Sequence, residues 1–580
     1  MKSLEWKFAA TCLGFLCVLC ASVVNGFALD REAFSFTNYD LNVQIDPEQH
    51  RLGVRGTVTL RNDSSTPQKI AVLQVSSSLD WRSVKAGDKA VQFVSQPYTS
   101  DIDHTGSLSE AIVTLPEVIG PKGTIELEIA YEGVIFLDAT RLTRIGTPEA
   151  AANSTDWDHI APDFSAVRGA GNVAWYPIAT EVANLSEGDS LFEVQRRWEK
   201  RECSAKVHLH LNLSRNDGEG QPELLVNNTS CLVPSAAPGR GQLISADCAY
   251  QPLGVITPLF VMANYHVVER QSVVVHYLRG HDTAAIAYAD AADKALPLIT
   301  DWFGKLRERA QTADLADPNA ATFESGAFFL TPLASLDTKT SVLAPAHQLT
   351  HLAFRSFRPW IEEGLAHFAQ ALYLEREKGR KAALEYMGLH RSALNEIEVA
   401  STAPRYEDEV NRSLVNTSSE ELYRSKAMCV WWMLRDIVGD AALKKALAAY
   451  RPEQDKEPSY MPRLIAAQTQ RDLEWFFDDW VYRDRGLPDF RIVSVYPRQL
   501  LNGGYLVTVT VENLGDAGAE VPVTLHMQNT ESTERLVVPG KSQASIRIQA
   551  GTLPQDATVN DGSVPESDIT NNTYRIELNH

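Results

Sequence analysis

The chain has 580 residues, 44% of them hydrophobic and 22% charged, which is too long for one core and too apolar for disorder, so several folded domains are expected. A net charge of −20 argues against a nucleic-acid partner, because phosphate neutralisation needs a basic face in excess. Composition also excludes a collagen-like repeat, a low-complexity stalk and a cysteine-dense miniprotein.

Lys2 and Lys7 precede an almost wholly apolar run from Phe8 to Val24, and Gly26-Phe27-Ala28 supplies the small residues that a signal peptidase reads. Residues 1–28 therefore read as a signal peptide, and the protein as exported to a periplasmic or extracellular location. The run of 17 residues is also the lower limit for a bilayer span, so an uncleaved N-terminal anchor is the alternative and the one expected route to a membrane.

Cleavage would remove Cys12, Cys17 and Cys20 and leave Cys203, Cys231, Cys248 and Cys429. Cys231 and Cys248 flank a turn-rich segment containing Pro234, Pro238, Gly239 and Gly241, and are the candidate disulfide in an oxidising compartment. These four contain no Cys-x-x-Cys, which argues against thiolate zinc ligands in the mature chain.

Residues 29–266 have a period of two. Tyr39, Leu41, Val43 and Ile45 alternate with polar residues, and Leu52, Val54, Val58 and Leu60 repeat the pattern beyond an Asp46-Pro47 turn. The region reads as an antiparallel β-sandwich or saddle, a platform with Trp175-Tyr176-Pro177 as one candidate cleft loop. Residues 267–485 change to helical spacing, with helices expected over Thr283 to Leu306, His367 to Met387 and Glu420 to Arg435. In residues 486–580 the alternation returns, as in Tyr505, Val507, Val509 and Val511, with the size and turn rhythm of an immunoglobulin-like sandwich. The fold class is multidomain α+β.

Chemistry concentrates in the helical region. His347 and His351 stand four apart in a helical segment, so both imidazoles lie on one face, an arrangement that suits zinc. Arg355 to Arg358 form a short connection, and Pro359 opens a second helix containing Glu362, Glu363 and His367. A connection this short makes the helices antiparallel neighbours, which brings Glu363 to face both histidines as a third ligand. Glu362 is the alternative ligand, and His367 reads as an outer or core residue.

His347-Gln-Leu-Thr-His351, followed by Trp360-Ile-Glu-Glu-Gly-Leu-Ala-His-Phe368, resembles the gluzincin zinc metallopeptidases, in particular the aminopeptidase N family, whose pattern is His-Glu-x-x-His and a downstream Asn-Glu-Gly. Asn38-Tyr39-Asp40-Leu41, Lys426 ahead of Met433-Leu434-Arg435-Asp436, and Trp480 before Gly486-Leu487-Pro488 are similar to elements of that family. The last module is similar to bacterial adhesion-type immunoglobulin-like domains. The resemblance implies Zn2+ held by His347, His351 and Glu363.

Gln348 stands where the family has its catalytic Glu. A neutral amide cannot take a proton from a metal-bound water, and general-base help is worth roughly 10²–10⁴ in rate. Glu362 is a possible substitute base. Gly326-Ala327-Phe328 is the nearest stretch to the family's Gly-x-Met-Glu-Asn strand and makes Gly326 and Ala327 the expected substrate-binding residues, without the family's amine-holding carboxylate. The family's oxyanion-stabilising Tyr precedes its Lys by two positions, whereas Tyr423 precedes Lys426 by three; Tyr423 is the candidate for that role or a packed aromatic. Three functions follow: a zinc metallopeptidase acting on peptides, an inactive homologue that binds peptides or a partner protein, and a metal-free envelope protein. Gln348 favours the second over the first, and the intact metal set favours both over the third.

Overall fold

The computed structural model describes residues 29–179, 183–214, 222–227, 231, 244–336, 342–400, 410, 412–501 and 503–576. The expected signal peptide lies outside them. Among the described residues, no helix is long and apolar enough to cross a membrane. The protein is multidomain, with a β-rich N-terminal part, a helical middle and C-terminal β-sheets.

The alternation in the first strands becomes one buried face. Leu41, Val43, Ile45, Leu52, Val54, Val58 and Leu60 are all buried, while their polar neighbours point outward. Asp46 accepts the Gln49 N–H at 3.2 Å and caps a single helical turn, Pro47–Gln49, which reverses the chain. The resulting seven-stranded sheet runs in the order Ile244–Tyr250, Lys206–Leu213, Phe34–Asp46, Arg51–Asn62, Thr124–Val134, Leu79–Ala86, Lys89–Ala90. A disulfide joins Cys231 to Cys248 on the first of these. Trp175 and Tyr176 are buried in this core, packed on each other and on Phe260 and Trp198. They stiffen the platform and do not line the cleft described below, contrary to the expectation for that loop.

Five helices surround the cleft or back its walls: α1 (Leu191–Glu202), α2 (Asp282–Phe303), α3 (Leu343–Ala353), α4 (Pro359–Lys378) and α5 (Ala427–Val438). Helix α2 is the crossover between parallel strands Val273–Tyr277 and Ala310–Asp314. Beside them lie Phe328–Thr331 and the edge strand Phe323–Ser325, joined by a tight turn in which Gly326 has φ +63°. The helix expected from His367 to Met387 is broken at Gly379, whose φ of +87° ends α4.

Pro359 occupies the first turn of α4, where its missing N–H costs nothing. Behind that turn, a Cβ on Gly364 would fall 2.7 Å from Ala427 Cβ, so glycine permits α5 to lie directly against α4. Trp360 stacks on Trp431 at 5.2 Å, and Trp431 Nε1 donates to the Trp360 carbonyl at 3.1 Å. The apolar core of this region is continuous with that of the C-terminal sheets, from Val273 through Trp480 to Val564. Those sheets contain three and four strands, and Trp480 Nε1 donates to the Gly518 carbonyl across the junction.

Candidate metal centre

The turn between α3 and α4 is short because Phe354 leaves the helix in an extended conformation and Pro359 starts the next one. His347 and His351, one turn apart on α3, bring their Nε2 atoms to 3.0 Å. Glu363, in the first turns of α4, places Oε2 3.8 Å from His347 Nε2 and Oε1 3.5 Å from His351 Nε2. A metal held about 2.1 Å from each donor sets the donors about 3.4 Å apart, close to this spacing. Two imidazoles and a carboxylate are a donor set that zinc favours.

A second carboxylate faces the same point. Glu324, on the edge strand, has Oε2 3.9 Å from His351 Nε2, and that oxygen is buried without a hydrogen-bond partner. Glu324, His347 and His351 offer donor atoms that all lie within 4.8 Å of one another. An unpartnered buried carboxylate oxygen is costly; burial raises the Glu324 pKa accordingly, and a cation at this point would offset the same cost. Sequence reasoning missed Glu324 by centring on Gly326; the signal was Phe323-Glu324-Ser325, immediately upstream. Ala327 is buried in the core, and the Gly326 carbonyl accepts from Arg355 at 3.3 Å, so neither of these expected substrate residues lines the cleft. The edge strand presents Phe323 and Glu324 instead.

Glu362 lies on the other side of the His351 ring, with Oε1 3.6 Å from Nδ1. Arg196 and Arg355 donate to that oxygen at 2.9 and 3.0 Å. Burial works to raise its pKa, but Arg196, His351 and Arg355 outweigh it and bring it down to about 2. Glu362 thus faces His351 Nδ1 rather than the Nε2 atoms that converge with Glu363, and its Oε1 is committed to two guanidinium groups.

Gln348 is buried, with one hydrogen bond at each of its polar atoms. Its Oε1 accepts from the Tyr288 hydroxyl, which also accepts from Thr312 Oγ1 at 3.2 Å, and its Nε2 donates to Thr331 Oγ1 at 3.0 Å. The carboxamide is thus tied to the sheet and to α2.

Ahead of α5, residues Glu421–Lys426 form a π-helical turn, which adds a residue to the local repeat and rotates the side chains. Tyr423 is consequently buried away from the cleft, donating to Ser190 Oγ at 3.2 Å beside Phe192. Arg424 faces the cleft in its place: Nε donates to Glu363 Oε2 at 3.1 Å and Nη1 to Glu420 at 2.6 Å. Arg424 is also the residue two before Lys426, the spacing at which the resembled family carries its tyrosine. Lys426 is buried against Asp484 and sits 5.3 Å over the Trp480 ring.

Burial, followed by His351 and His367, holds the His347 pKa well below the usual histidine value. Burial also drives His367 down to about 4. Burial lowers His351 too, but Glu324, Glu362 and Glu363 outweigh it and raise its pKa. Burial raises Glu363 and is overcome by Arg424 and the histidines, which hold it far below the usual carboxylate range. Burial thus favours the neutral form of His347, and Arg424 with the histidines favours the ionised form of Glu363, both as ligation uses, whereas the three carboxylates favour the charged form of His351, from which a metal would have to displace a proton. These groups line a cleft of about 550 Å³ between the platform and the helices, with Arg168, Phe192, Gln195 and Arg196 on the facing wall.

No family model matches the chain, and no curated protein matches it by sequence. Among solved structures it is similar to Legionella pneumophila aminopeptidase A in complex with aspartic acid, at a TM-score of 0.60 and 12% identity over 93% of this chain. The match spans 60% of the length of that aminopeptidase. A two-domain M1 zinc metallopeptidase mutant bound to L-tryptophan matches at a TM-score of 0.51 and 16% identity, over 79% of this chain and 96% of its own. At such identities the likeness is one of fold.

Proposed function

We propose that this chain is an exported, zinc-holding, peptide-binding protein on a metallopeptidase scaffold, in which the cleft engages peptides without the general base that hydrolysis uses. The reading includes domain limits at 29–266, 267–485 and 486–580, after a cleaved segment 1–28. Two antiparallel C-terminal sheets support an immunoglobulin-like last module. His347, His351 and Glu363 would hold the zinc, with Glu324 within reach of the same centre. When bound, zinc supplies a Lewis acid that polarises a carbonyl.

The chain's own residues then position a peptide. Among the described residues, strand Phe323–Ser325 pairs on one side only, with Phe328–Thr331, and its other edge suits an added strand from an extended peptide. The buried carboxylate of Glu324 suits a free amine at the end of that peptide, since an ammonium would supply its missing donor. Amino acids held by two neighbours of the same fold, aspartic acid in one and L-tryptophan in the other, support a ligand of this class.

The observation that carries the reading is Gln348 held between Tyr288 and Thr331. A carboxamide with both polar atoms committed neither takes nor returns a proton. Arg424 in place of a phenol adds to this. A second reading, peptide hydrolysis with Glu324 as the base, rests on its unpartnered Oε2 beside His351 Nε2.

The test is to purify the mature protein, measure bound zinc, and assay a broad peptide library with wild type, Gln348→Glu, Glu324→Gln and His347→Ala. Zinc in the wild type without cleavage, and loss of zinc in His347→Ala, is the expected result. Wild-type cleavage abolished by both Glu324→Gln and His347→Ala would establish the second reading.

A further inference from the structure

Outside the cleft lining, on the outer face of the seven-stranded sheet, two more histidines stand together. His208 and His210 occupy alternate positions of strand Lys206–Leu213, so both project to the same side. Their rings are 4.2 Å apart. The neighbouring strands place a carboxylate on either side: Asp40 is the register partner of His208, and Asp247 that of His210.

The four groups divide by ring nitrogen. Asp40 Oδ1 is 3.8 Å from His208 Nδ1 and also 3.8 Å from His210 Nε2. Asp247 faces the opposite nitrogens, with Oδ1 2.6 Å from His208 Nε2 and Oδ2 3.6 Å from His210 Nδ1. Asp247 thus holds the far nitrogen of His208 in a hydrogen bond and lies just outside that range of His210 Nδ1, leaving His208 Nδ1, His210 Nε2 and Asp40 Oδ1 facing one another. Metal-binding histidines are usually held in this way, with the outer carboxylate fixing the tautomer and turning the free lone pair toward the ion.

We propose that Asp40, His208 and His210 form a second divalent transition-metal site, oriented by Asp247. The donor atoms lie within 4.8 Å of one another. All four side chains are half-exposed, so a small rotation of Asp40 closes the spacing to the roughly 3.4 Å that an ion about 2.1 Å from each donor sets. Asp40 has Thr57 and His208 as its strand partners, so neither flanking strand sets a lysine or arginine directly opposite it. Two imidazoles and one carboxylate suit zinc, nickel or copper(II); calcium and magnesium take more oxygen ligands than the cluster offers. The ion would clip strand Phe34–Asp46 to strand Lys206–Leu213, with solvent completing its coordination. This is independent of the cleft centre and survives if that reading fails.

The test is a Zn2+ titration of the metal-depleted full-length protein by calorimetry, with bound metal counted by mass spectrometry. A His347→Ala/His351→Ala protein is expected to retain one zinc per chain, and adding His208→Gln/His210→Gln to abolish it. Asp247→Asn should weaken that binding by about 10- to 100-fold, the usual cost of losing an outer partner. Zinc should also raise the melting temperature of the N-terminal part, and the His208→Gln/His210→Gln change should remove the rise. If the cleft variant does not fold, the wild type and His208→Gln/His210→Gln proteins are compared directly, and a loss of one zinc equivalent is expected. Unchanged stoichiometry in either comparison, or no binding by the cleft variant above a His208→Gln/His210→Gln control, overturns the site.

Discussion

The Arg424 guanidinium donates to Glu363 Oε2 at 3.1 Å, placing a fixed positive charge against the carboxylate that faces His347 and His351. A cation at the histidines and the guanidinium compete for the same negative charge. Arg424→Tyr removes that competition and should tighten zinc binding by roughly 10-fold, a modest share of a close unscreened charge pair. Competition titration against a chromophoric chelator reads the change; weaker binding in Arg424→Tyr would contradict it.

Gln348→Glu should fold, because Tyr288 and Thr331 can each donate a hydroxyl to a carboxylate. Peptide cleavage is expected to appear in Gln348→Glu and to rise further in Gln348→Glu/Arg424→Tyr, within the roughly 10²–10⁴ range that a general base contributes. Single-turnover assays with fluorogenic peptides follow it. Equal rates in wild type and both variants would remove Gln348 as the limiting residue.

Glu324→Gln should weaken binding of peptides with a free amino terminus by about 10-fold or more, the cost of losing a charge-assisted hydrogen bond in a buried setting. The same peptides with acetylated termini should bind both proteins alike. Fluorescence anisotropy makes the comparison, and equal losses for both peptide sets would show that Glu324 does not read the amine.

Gly364→Ala should destabilise the helical region by about 1–3 kcal/mol, since the added methyl meets Ala427 and Trp431 at 2.7 to 3.0 Å and overpacking outweighs the helix-propensity gain. A fall in melting temperature with zinc content retained would separate this packing defect from loss of a ligand.

Lys426→Met leaves Asp484 buried with Arg412 as its remaining cation, at 3.3 Å, and should cost about 3 kcal/mol at neutral pH. Burial raises the Asp484 pKa, but Lys426 and Arg412 hold it below the usual aspartate value. The stabilisation is therefore complete above the ordinary pKa of about 3.9 and is lost as pH falls through the lower folded value. The gap in melting temperature between wild type and Lys426→Met should accordingly narrow on acidification below that value.

Much of this was legible in the residues. Period two in Leu41, Val43 and Ile45 and the spacing of His347, His351 and Glu363 are local signals, and the geometry follows them. Two features were not. The burial of Tyr423 follows from a π-turn that has no compositional mark, so ideal helix counting does not give its direction; Arg424 was marked only by its spacing of two before Lys426. Glu324 reaches the cleft through sheet order: its strand turns back antiparallel on Phe328–Thr331, which pairs parallel with Ala310–Asp314, so Phe323-Glu324-Ser325 marks the residue but not its place beside α3. The Asp40, His208 and His210 cluster likewise depends on a parallel pairing between strands more than 150 residues apart.

Trp480 touches both Gly518, in the last module, and Lys426, at the base of the turn that carries Arg424. Shortening the gene at residue 485 would thus not yield a smaller working enzyme-like body: it would bare a greasy wall, strip the indole of its acceptor, and leave the arginine's own foundation open to water. The terminal sheets are masonry for the cleft rather than an ornament hung beside it.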